Sequence, residues 1–477
     1  MSTQNSLMWF RQDLRVADNP ALVAACEYAK QHRSHVRALY IVSPSQWAQH
    51  DVAPIQIDYI ERHVNLLAQS LAALGIALDV LHLQWFSDIP AALDAYLQQH
   101  NIHAVFAGSE PEINERRRDK LLIEQGIPLL LFDQDCVLAA GDVVNLSGDM
   151  YKVFTPFAKK WKSVASQKAI IPIAAPAPVA AALAQPEVIT FDCVKRSSEL
   201  WPAGEGAAKR LLDQFLANHV TDYHNERDFP ALDGTSRLSP FLALGVISSR
   251  QCVAAVLARY PEALVDDTCP AKTWLNELIW REFYRHLLVA FPRLSMAHNF
   301  NELGDGIVWR NDLEEFQAWC EGKTGYPIVD AAMRQLNQTG WMHNRLRMVV
   351  ASFLTKHLLV DWRWGERYFR QQLIDGDLAA NNGGWQWSAG TGCDAQPYFR
   401  VFNPMTQSSK FDPDASFIKR YIPEIARWPL KDIHEPKSVN LHDLFASSNN
   451  QAYPKPIVEH KMARLRAVEV LSALKRG

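Results

Sequence analysis

The chain has 477 residues, of which 48% are hydrophobic and 21% charged, with 49 Lys and Arg against 52 Asp and Glu. At about 150 residues per domain this length predicts two or three domains, and the composition excludes wholesale disorder and collagen-like structure. A formal net charge of -3 excludes attraction of nucleic acid by bulk charge, so binding to phosphate requires a local basic face.

The apolar and amphipathic segments of residues 1–136 alternate. The strand-length runs are SLMWF, VRALYIV, ALDVLHL, HAVFA and IPLLLF, and helix-length segments such as 54–74 and 111–125 lie between them. This alternation predicts an α/β domain with a parallel sheet. No G-x-G-x-x-G motif follows the first run, which disfavours a standard NAD-binding role.

Residues 137–204 are predicted to link this domain to the next, because the stretch 165–200 is rich in Ala and Pro and poor in aromatic residues. Helical periodicity dominates from 205 to 477, which predicts an all-helical second domain. Ten of the 15 tryptophans fall between Trp274 and Trp428. Core filling explains any single one, but the clustering asks for a second explanation.

Cysteines and targeting segments indicate the compartment. The seven cysteines are scattered and contain no C-x-x-C pair, which argues against a disulfide framework or a zinc site, and no metal is expected. The first fifteen residues lack the apolar stretch of a signal peptide, and no run of eighteen apolar residues occurs. We therefore expect a cytoplasmic protein that does not bind membranes.

Two polar segments of the helical part are candidates for ligand binding. TSRLS at 235–239 precedes an apolar helical pattern and either caps that helix or binds an anion. DGDLAANNGGWQW at 375–387 combines acids, amides, paired glycines and two tryptophans. Glycines let a flat ligand approach the backbone and amides bind ring heteroatoms, so this segment favours a ligand site over a simple loop.

Two further segments place chemistry on helices. In NELIWREFYRH, Glu277 and Trp280 are three residues apart and share a helix face, which suits either a solvated carboxylate or a hydrogen-bonding group beside a stacking surface. GWMHNRLRM at 340–348 begins a helix and makes Arg347 a candidate partner of Asp375, while His343 is expected to be structural.

These motifs resemble the photolyase/cryptochrome family, and within it the class I cyclobutane pyrimidine dimer DNA photolyases, over nearly the whole chain. The resemblance is carried by WFRQDLR, YKVFTPF, RDFP, TSRLS, NELIWREFYRH, GKTGYPIVDAAMRQLNQTGWMHNRLRM and DGDLAANNGGWQW. It implies a monomeric enzyme, a carbon–carbon lyase, that holds FAD in its helical domain and repairs ultraviolet-damaged DNA in light. Excited reduced FAD would pass an electron to a flipped-out dimer and recover it after the dimer splits.

The resemblance also implies roles for individual residues. FAD would be held by Tyr223, Thr235, Ser236, Arg237, Leu238, Ser239, Trp274, Asn344, Arg347, Asp375, Gly376, Asp377 and Asn381, with Asn381 facing the central redox-active nitrogen. Electrons would hop between flavin and surface along Trp385, Trp362 and Trp309. The DNA and the dimer would meet Arg227, Glu277, Trp280, Arg281, Tyr284, Asn344, Arg345, Met348, Trp387 and Gln407.

The antenna pocket departs from the family pattern. Members that carry folate have an Asn-Glu pair, whereas Ser109 precedes Glu110 here, and Ser295-Met296 stands where a thiol and a lysine are more typical. We expect 5,10-methenyltetrahydrofolate as the antenna, bound weakly, because a shorter side chain leaves part of the pterin edge unpaired.

Three alternatives remain open at this point. A cryptochrome-type light sensor is disfavoured because the chain ends soon after HKMARLRAVEVLSALKRG and has no room for a long tail. A photolyase for the other major dipyrimidine lesion would carry a second histidine beside His343, where Asn344 stands. A generic nucleotide-binding α/β protein with a helical lid would explain only the first domain.

Overall fold

The computed structural model describes residues 4–435 and 453–472, and this part of the chain forms two compact units. Unit 1 takes the described residues of 1–221, 236–295 and 374–377, and unit 2 takes those of 222–235, 296–373 and 378–477. Each unit is assembled from segments that are distant in sequence. The domain boundaries expected at residues 136 and 204 stay predictions.

The described strands of unit 1 form one parallel sheet. They are β1 (Asn5–Phe10), β2 (Val36–Val42), β3 (Ala77–His82), β4 (Ile102–Gly108) and β5 (Leu129–Phe132), in the order β3-β2-β1-β4-β5. Each strand falls on one of the predicted apolar runs, and β5 starts after Pro128, which has no N–H to donate to a neighbouring strand. The predicted α/β domain is confirmed.

Helices surround the sheet and extend unit 1 beyond it. In chain order the first helices are α1 (Pro20–His32), α2 (Pro44–Gln49), α3 (Pro54–Ala73), α4 (Ile89–Gln99), α5 (Ile113–Glu124), α6 (Phe154–Ala165), α7 (Glu205–Asn218), α8 (Tyr223–Glu226, in unit 2), α9 (Ser239–Ala243), α10 (Ser249–Arg259) and α11 (Lys272–Ala290). Asn19 caps α1 by accepting from Leu22 N, and Ser248 with Gln251 forms a capping box on α10. Leu7, Trp9 and Val105 lie in the core between sheet and helices.

The described remainder of unit 2 contains helices and turns only. They are α12 (Leu313–Glu321), α13 (Pro327–Thr339), α14 (Asn344–Ser352), α15 (Trp362–Gln372), α16 (Leu378–Ala389), α17 (Pro404–Phe411), α18 (Ser416–Tyr421), α19 (Leu430–His434) and α20 (His460–Leu471). Short 3-10 turns occur in the described residues of both units, at Phe86–Asp88, Pro261–Leu264, Pro292–Met296, Glu302–Gly306 and Pro423–Ile425. The predicted helical part is confirmed, and no described helix has the length and apolar character needed to cross a bilayer.

Two local features of unit 2 differ from a simple interpretation of the sequence. The helical pattern at 345–359 is interrupted, because α14 passes into a π-helix at Phe353–Leu358 that ends at Leu359 with a φ of 51°. Gly383 and Gly384 lie inside α16 and not in a loop. Packing of α16 against α15 outweighs the low helix propensity of the glycine pair.

Candidate functional site

Helix α11 presents a carboxylate and aromatic rings on one face of unit 1. Glu277, Trp280 and Tyr284 follow a helical spacing of three and four residues, and all three are half-buried. The Trp280 ring is parallel to that of Phe154 on α6, with centroids 3.6 Å apart and planes 6° apart. Tyr284 lies 5.6 Å from Trp280 on the same face. The predicted carboxylate and stacking surface therefore coexist on α11.

The other polar face of α11 carries two arginines in ion pairs. Arg281 donates to Asp135 at 2.5 Å and to Ser249 Oγ at 2.9 Å, and its side chain is 11% exposed. Arg285 binds both Asp135 and Asp377. Burial alone would raise the pKa of Asp135, but the two guanidinium groups outweigh it and hold that pKa well below its ordinary value.

This pairing concerns one of the predicted DNA contacts, and the contact of Arg281 with DNA stays a prediction. Arg281 shares the Asp135 carboxylate with Arg285. The sequence spacing on α11 could not reveal this, because Asp135 is 146 residues away.

The segment 374–377 is fixed within unit 1. Gly376 O accepts from Gln56 Nε2 at 2.8 Å, and Asp377 is paired with Arg285 at 2.5 Å. Burial would raise the pKa of Asp377, but Arg285 and Arg281 lower it below its ordinary value. Asp375 is buried. Both carboxylates therefore lie in a sheltered segment, as a ligand site requires.

The other residues predicted to bind FAD, between 223 and 274, differ in burial and in backbone conformation. Trp274 is 3% exposed and packs against Phe215 with centroids 5.0 Å apart. Arg237 adopts a left-handed backbone conformation with a φ of 51°. In the sequence it stands between Ser236 and Ser239. Leu238 is buried, and Tyr223 and Thr235 belong to unit 2. Their roles stay predictions.

In unit 2, Asn381 has an amide orientation set by its neighbour helix. Its Nδ2 donates to Glu366 O on α15 at 2.9 Å, so its Oδ1 is left to accept a hydrogen bond. Asn382 Nδ2 donates to the Glu366 carboxyl at 2.9 Å, and burial raises the pKa of Glu366 to about 7. A Cβ added at Gly384 would meet no atom within 4 Å, so α16 has an open face there.

The three tryptophans of the proposed electron path all lie in unit 2. Trp385 on α16 and Trp362 on α15 are 2% and 0% exposed, whereas Trp309 is half-buried. Trp362 Nε1 donates to Asn299 Oδ1 at 2.9 Å. A Cβ at Gly365 would collide with the Trp385 ring, so glycine allows this indole to lie against α15 one turn after Trp362. The series therefore runs from two buried tryptophans to a half-buried one.

Helix α14 carries the remaining candidates for DNA contact. Asn344 is exposed at its first residue, and half-buried Met348 follows one turn later. Arg345 pairs with Asp228 at 2.7 Å and lies 4.4 Å from the Phe411 ring. His343 caps the helix by accepting from Arg345 N, as expected of a structural histidine.

The structure also shows the surroundings of the other candidate residues in unit 2, whose roles stay predictions. Arg347 Nε donates to Met342 O at 2.8 Å, and its expected pairing with Asp375 stays a prediction. Arg227 lies 5.9 Å from the Tyr223 ring. Trp387 is half-buried, and Gln407 has a buried Oε1 without a partner in the described structure. Gln407 Oε1 can therefore accept a hydrogen bond from a ligand.

The antenna candidates line a cavity of about 640 Å³ in unit 1. Ser109 Oγ donates to Asp133 at 2.5 Å, so its hydroxyl is directed to that carboxylate. Glu110 is 10% exposed and is paired with Arg118 at 2.8 Å and Arg11 at 3.7 Å. The acid kept from the family pattern is thus already neutralised by arginines. The cavity volume suits a small organic ligand.

One cluster of metal-ligand type occurs among the described residues, at Cys136, Glu282 and His286. Glu282 already accepts from the backbone N–H groups of Val137 and Leu138 and from Trp161 Nε1. His286 Nε2 is bonded to Leu138 O at 2.9 Å. These bonds fasten α11 to residues 136–138, which gives the cluster a structural role.

Three residues important to this arrangement escaped the sequence analysis. Phe154, Asp135 and Gly365 each act on a candidate residue that lies far away in the chain or on another helix. A signal for Phe154 was present, since it begins the apolar stripe Phe154, Phe157, Ala158, Trp161 of α6. No local pattern points to Asp135 or Gly365.

Comparison with known proteins identifies the family. Residues 6–179 match the family model described as DNA photolyase, and residues 274–473 match the FAD binding domain of DNA photolyase. The chain belongs to the DNA photolyase family. The predicted family, enzyme class and FAD cofactor are therefore confirmed.

Individual relatives agree with this assignment. The chain is 48% identical to the deoxyribodipyrimidine photo-lyase of Vibrio cholerae, covering 96% of this chain and 97% of that one, and 45% identical to that of Escherichia coli, covering 99% of each. Among solved structures, a class III photolyase from Agrobacterium tumefaciens has a TM-score of 0.84 at 34% identity, covering 100% of this chain and 99% of that one. A Synechocystis cryptochrome has a TM-score of 0.83 at 27% identity, covering 98% and 100%.

Proposed function

We propose that the protein splits cyclobutane pyrimidine dimers in ultraviolet-damaged DNA under light, and that α11 carries the lesion contacts. The observation behind this proposal is the single face of α11 on which Glu277 stands beside a stacked indole. The Glu277 carboxyl hydrogen-bonds the lesion, and the Trp280 ring stacks on it. This stacking offsets part of the cost of flipping the bases out of the duplex.

We propose that FAD is bound by the residues that the sequence analysis predicted as its contacts. When bound, reduced FAD supplies the electron that light transfers to the lesion. Asn381 accepts from a ring N–H through its free Oδ1, while Glu366 O holds the amide in that orientation. The open face at Gly384 admits a planar ring. The remaining proposed FAD contacts are Tyr223, Thr235, Ser236, Arg237, Leu238, Ser239, Trp274, Asn344, Arg347, Asp375, Gly376 and Asp377.

The DNA contacts are proposed residue by residue. Arg227, Arg281 and Arg345 bind phosphate groups, because guanidinium groups donate hydrogen bonds to the phosphates of the DNA backbone. Asn344, Met348, Trp387 and Gln407 contact the lesion or its flanking nucleotides, and Tyr284 extends the aromatic surface beside Trp280. We further propose that the enzyme acts as a cytoplasmic monomer.

Light dependence tests the repair activity. The purified protein with reduced FAD should remove cyclobutane dimers from irradiated DNA under blue or near-ultraviolet light and should do nothing in the dark. Glu277→Gln keeps the shape but removes the charge, so it should slow repair while FAD content stays normal. Equal removal with and without light would refute the proposal, as would no removal in light. The second result would favour a cryptochrome-type light sensor.

The antenna is proposed to be 5,10-methenyltetrahydrofolate at the cavity near Ser109 and Glu110. Binding is weak, because Ser109 is bonded to Asp133 and Glu110 to two arginines, which leaves few free groups for the pterin edge. Ser109→Asn should raise the folate content measured from the near-ultraviolet absorption of the purified protein. Stoichiometric folate in the unchanged protein would contradict weak binding, without bearing on FAD or repair.

A further inference from the structure

The motif YKVFTPF at 151–157 has no role in the function proposed above, yet it places a ring against the proposed lesion contact. Phe154 is the first residue of α6. Its ring covers one face of Trp280, with centroids 3.6 Å apart and planes 6° apart. Trp280 also meets the edge of Phe283, at 5.6 Å and 84°. Phe154 therefore excludes a ligand base from the face of the indole that it covers.

Helix α6 fixes the position of Phe154. Phe157 and Trp161, one and two turns later on the same stripe, are 0% and 1% exposed. Phe157 packs against Phe283 with centroids 5.1 Å apart, and Trp161 Nε1 donates to Glu282 at 2.6 Å. Both contacts join α6 to α11 within one turn after Trp280. Phe154 thus has little freedom to move away from the indole.

The geometry of the stack indicates that it is imposed by this packing. Free aromatic pairs prefer offset or edge-to-face arrangements to a face-to-face sandwich. A nearly parallel pair 3.6 Å apart is therefore held together by its surroundings and not by the pair's own preference. A side chain held in this way keeps its partner in one rotamer.

We propose that Phe154 is a positioning residue for lesion recognition, which holds Trp280 in the orientation that receives the flipped pyrimidine dimer. The proposal rests on the proposed function, because it requires Trp280 to contact the lesion. Without Phe154 the indole can rotate into the vacated space. Lesion binding must then fix the Trp280 rotamer, and this loss of side-chain entropy lowers the affinity.

Four variants test the proposal: Phe154→Leu, Phe154→Tyr, Trp280→Leu and the double variant Phe154→Leu/Trp280→Leu. Binding is measured with an oligonucleotide that contains one thymine dimer, and repair per bound dimer is measured in light. Phe154→Leu should weaken binding about three- to tenfold, the range for one aromatic pair. Repair per bound dimer and FAD content should stay unchanged, and Phe154→Tyr, which keeps the ring, should bind normally.

The double variant separates positioning from general packing. If Phe154 acts through Trp280, adding Phe154→Leu to Trp280→Leu should cost no further affinity. A 5-fluorotryptophan resonance, assigned to Trp280 by its absence in Trp280→Phe, should shift in Phe154→Leu before any DNA is added. Additive losses, or normal binding by Phe154→Leu where Trp280→Leu binds weakly, would overturn the proposal. Normal binding by Trp280→Leu would instead refute the proposed lesion contact itself.

Discussion

Trp280 in unit 1 and the pair Trp362 and Trp385 in unit 2 are the same residue type in opposite surroundings. Trp280 is half-buried, and the ring of Phe154 covers one of its faces. Trp362 and Trp385 are almost wholly buried, and Trp385 meets Trp319 and Phe369 edge to face. A half-buried ring covered on one face suits ligand stacking, whereas fully buried rings suit electron transfer. The surroundings of each tryptophan, and not the number of tryptophans, separate the two proposed roles.

The largest effect should come from Trp309→Phe, at the exposed end of the buried series. Photoreduction of oxidised FAD should be nearly abolished, because the last donor in the path is lost. Repair should remain normal once the flavin is reduced chemically, since the repair cycle recovers its own electron. Photoreduction is followed by the flavin absorption under blue light. Loss of both activities together would assign Trp309 to packing.

Trp280→Leu should show the reverse pattern. Affinity for dimer-containing DNA should fall roughly tenfold or more, because stacking on an aromatic ring contributes about 1–3 kcal/mol per base. The rate of photoreduction should match that of the unchanged protein. If photoreduction slowed as well, the division between a ligand-stacking tryptophan and an electron-transfer series would fail.

Gly365→Ala should disturb the buried series alone. The added methyl group collides with the Trp385 ring, and overpacking of this kind costs about 1–3 kcal/mol in a urea unfolding experiment. Photoreduction should slow, while the affinity of the folded protein for dimer-containing DNA stays normal. Gly306→Ala is the matched control, since a Cβ there meets no atom within 4 Å. Equal stability of the two variants would contradict the steric argument.

Lys356→Met tests whether the interior of unit 2 that contains Trp362 and Trp385 excludes water. Lys356 is 0% exposed, its Nζ donates to Ala389 O at 3.0 Å, and burial lowers its pKa to about 7 from an ordinary 10.5. The folded protein then binds fewer protons than the unfolded chain between about pH 7 and 10.5, so this lysine makes stability rise with pH in that window.

The variant should therefore gain stability relative to the unchanged protein by up to about 4 kcal/mol near pH 7, at about 1.4 kcal/mol per pKa unit, and this advantage should shrink towards pH 10. Urea unfolding at several pH values measures the difference. Parallel stability curves for the two proteins would show that the ammonium group is not buried.

The smallest effect is expected from Arg345→Ala. If Arg345 binds one phosphate, the slope of log affinity against log salt concentration should decrease by about one unit. Lys168→Ala removes the same charge from an exposed pair with Asp142 and should leave the slope unchanged. A slope unaffected by Arg345→Ala would confine this residue to its pair with Asp228.

The sequence predicted the elements whose signals are local. The strands of the sheet and helices such as α3, α7 and α11 follow apolar periodicity, and the ligand-site candidates follow from unusual residue combinations. The roles predicted for individual residues came from the resemblance to the family, whose motifs are long enough to be specific. Periodicity also failed locally, because the pattern at 345–359 contains no feature that distinguishes the π-helix from a continuous α-helix.

The contacts that decide individual roles are not local. Arg281 has the spacing of a surface cation on α11, but its state is set by Asp135, which follows β5. Phe154 and Trp280 are more than a hundred residues apart and meet only because α6 packs on α11. Such pairs depend on tertiary packing, which one sequence does not specify by pattern.

The composition of unit 1 has a consequence during synthesis. Its last segment, 374–377, supplies Asp377 to Arg285 and Gly376 to Gln56. At about 5–20 residues per second, roughly 5–18 s pass between translation of Arg285 and of Asp377, which are 92 residues apart. During that interval the guanidinium of Arg285 lacks one of its two carboxylates. A nascent chain released before residue 377 would therefore carry an incomplete first unit, which chaperones or proteases would have to handle.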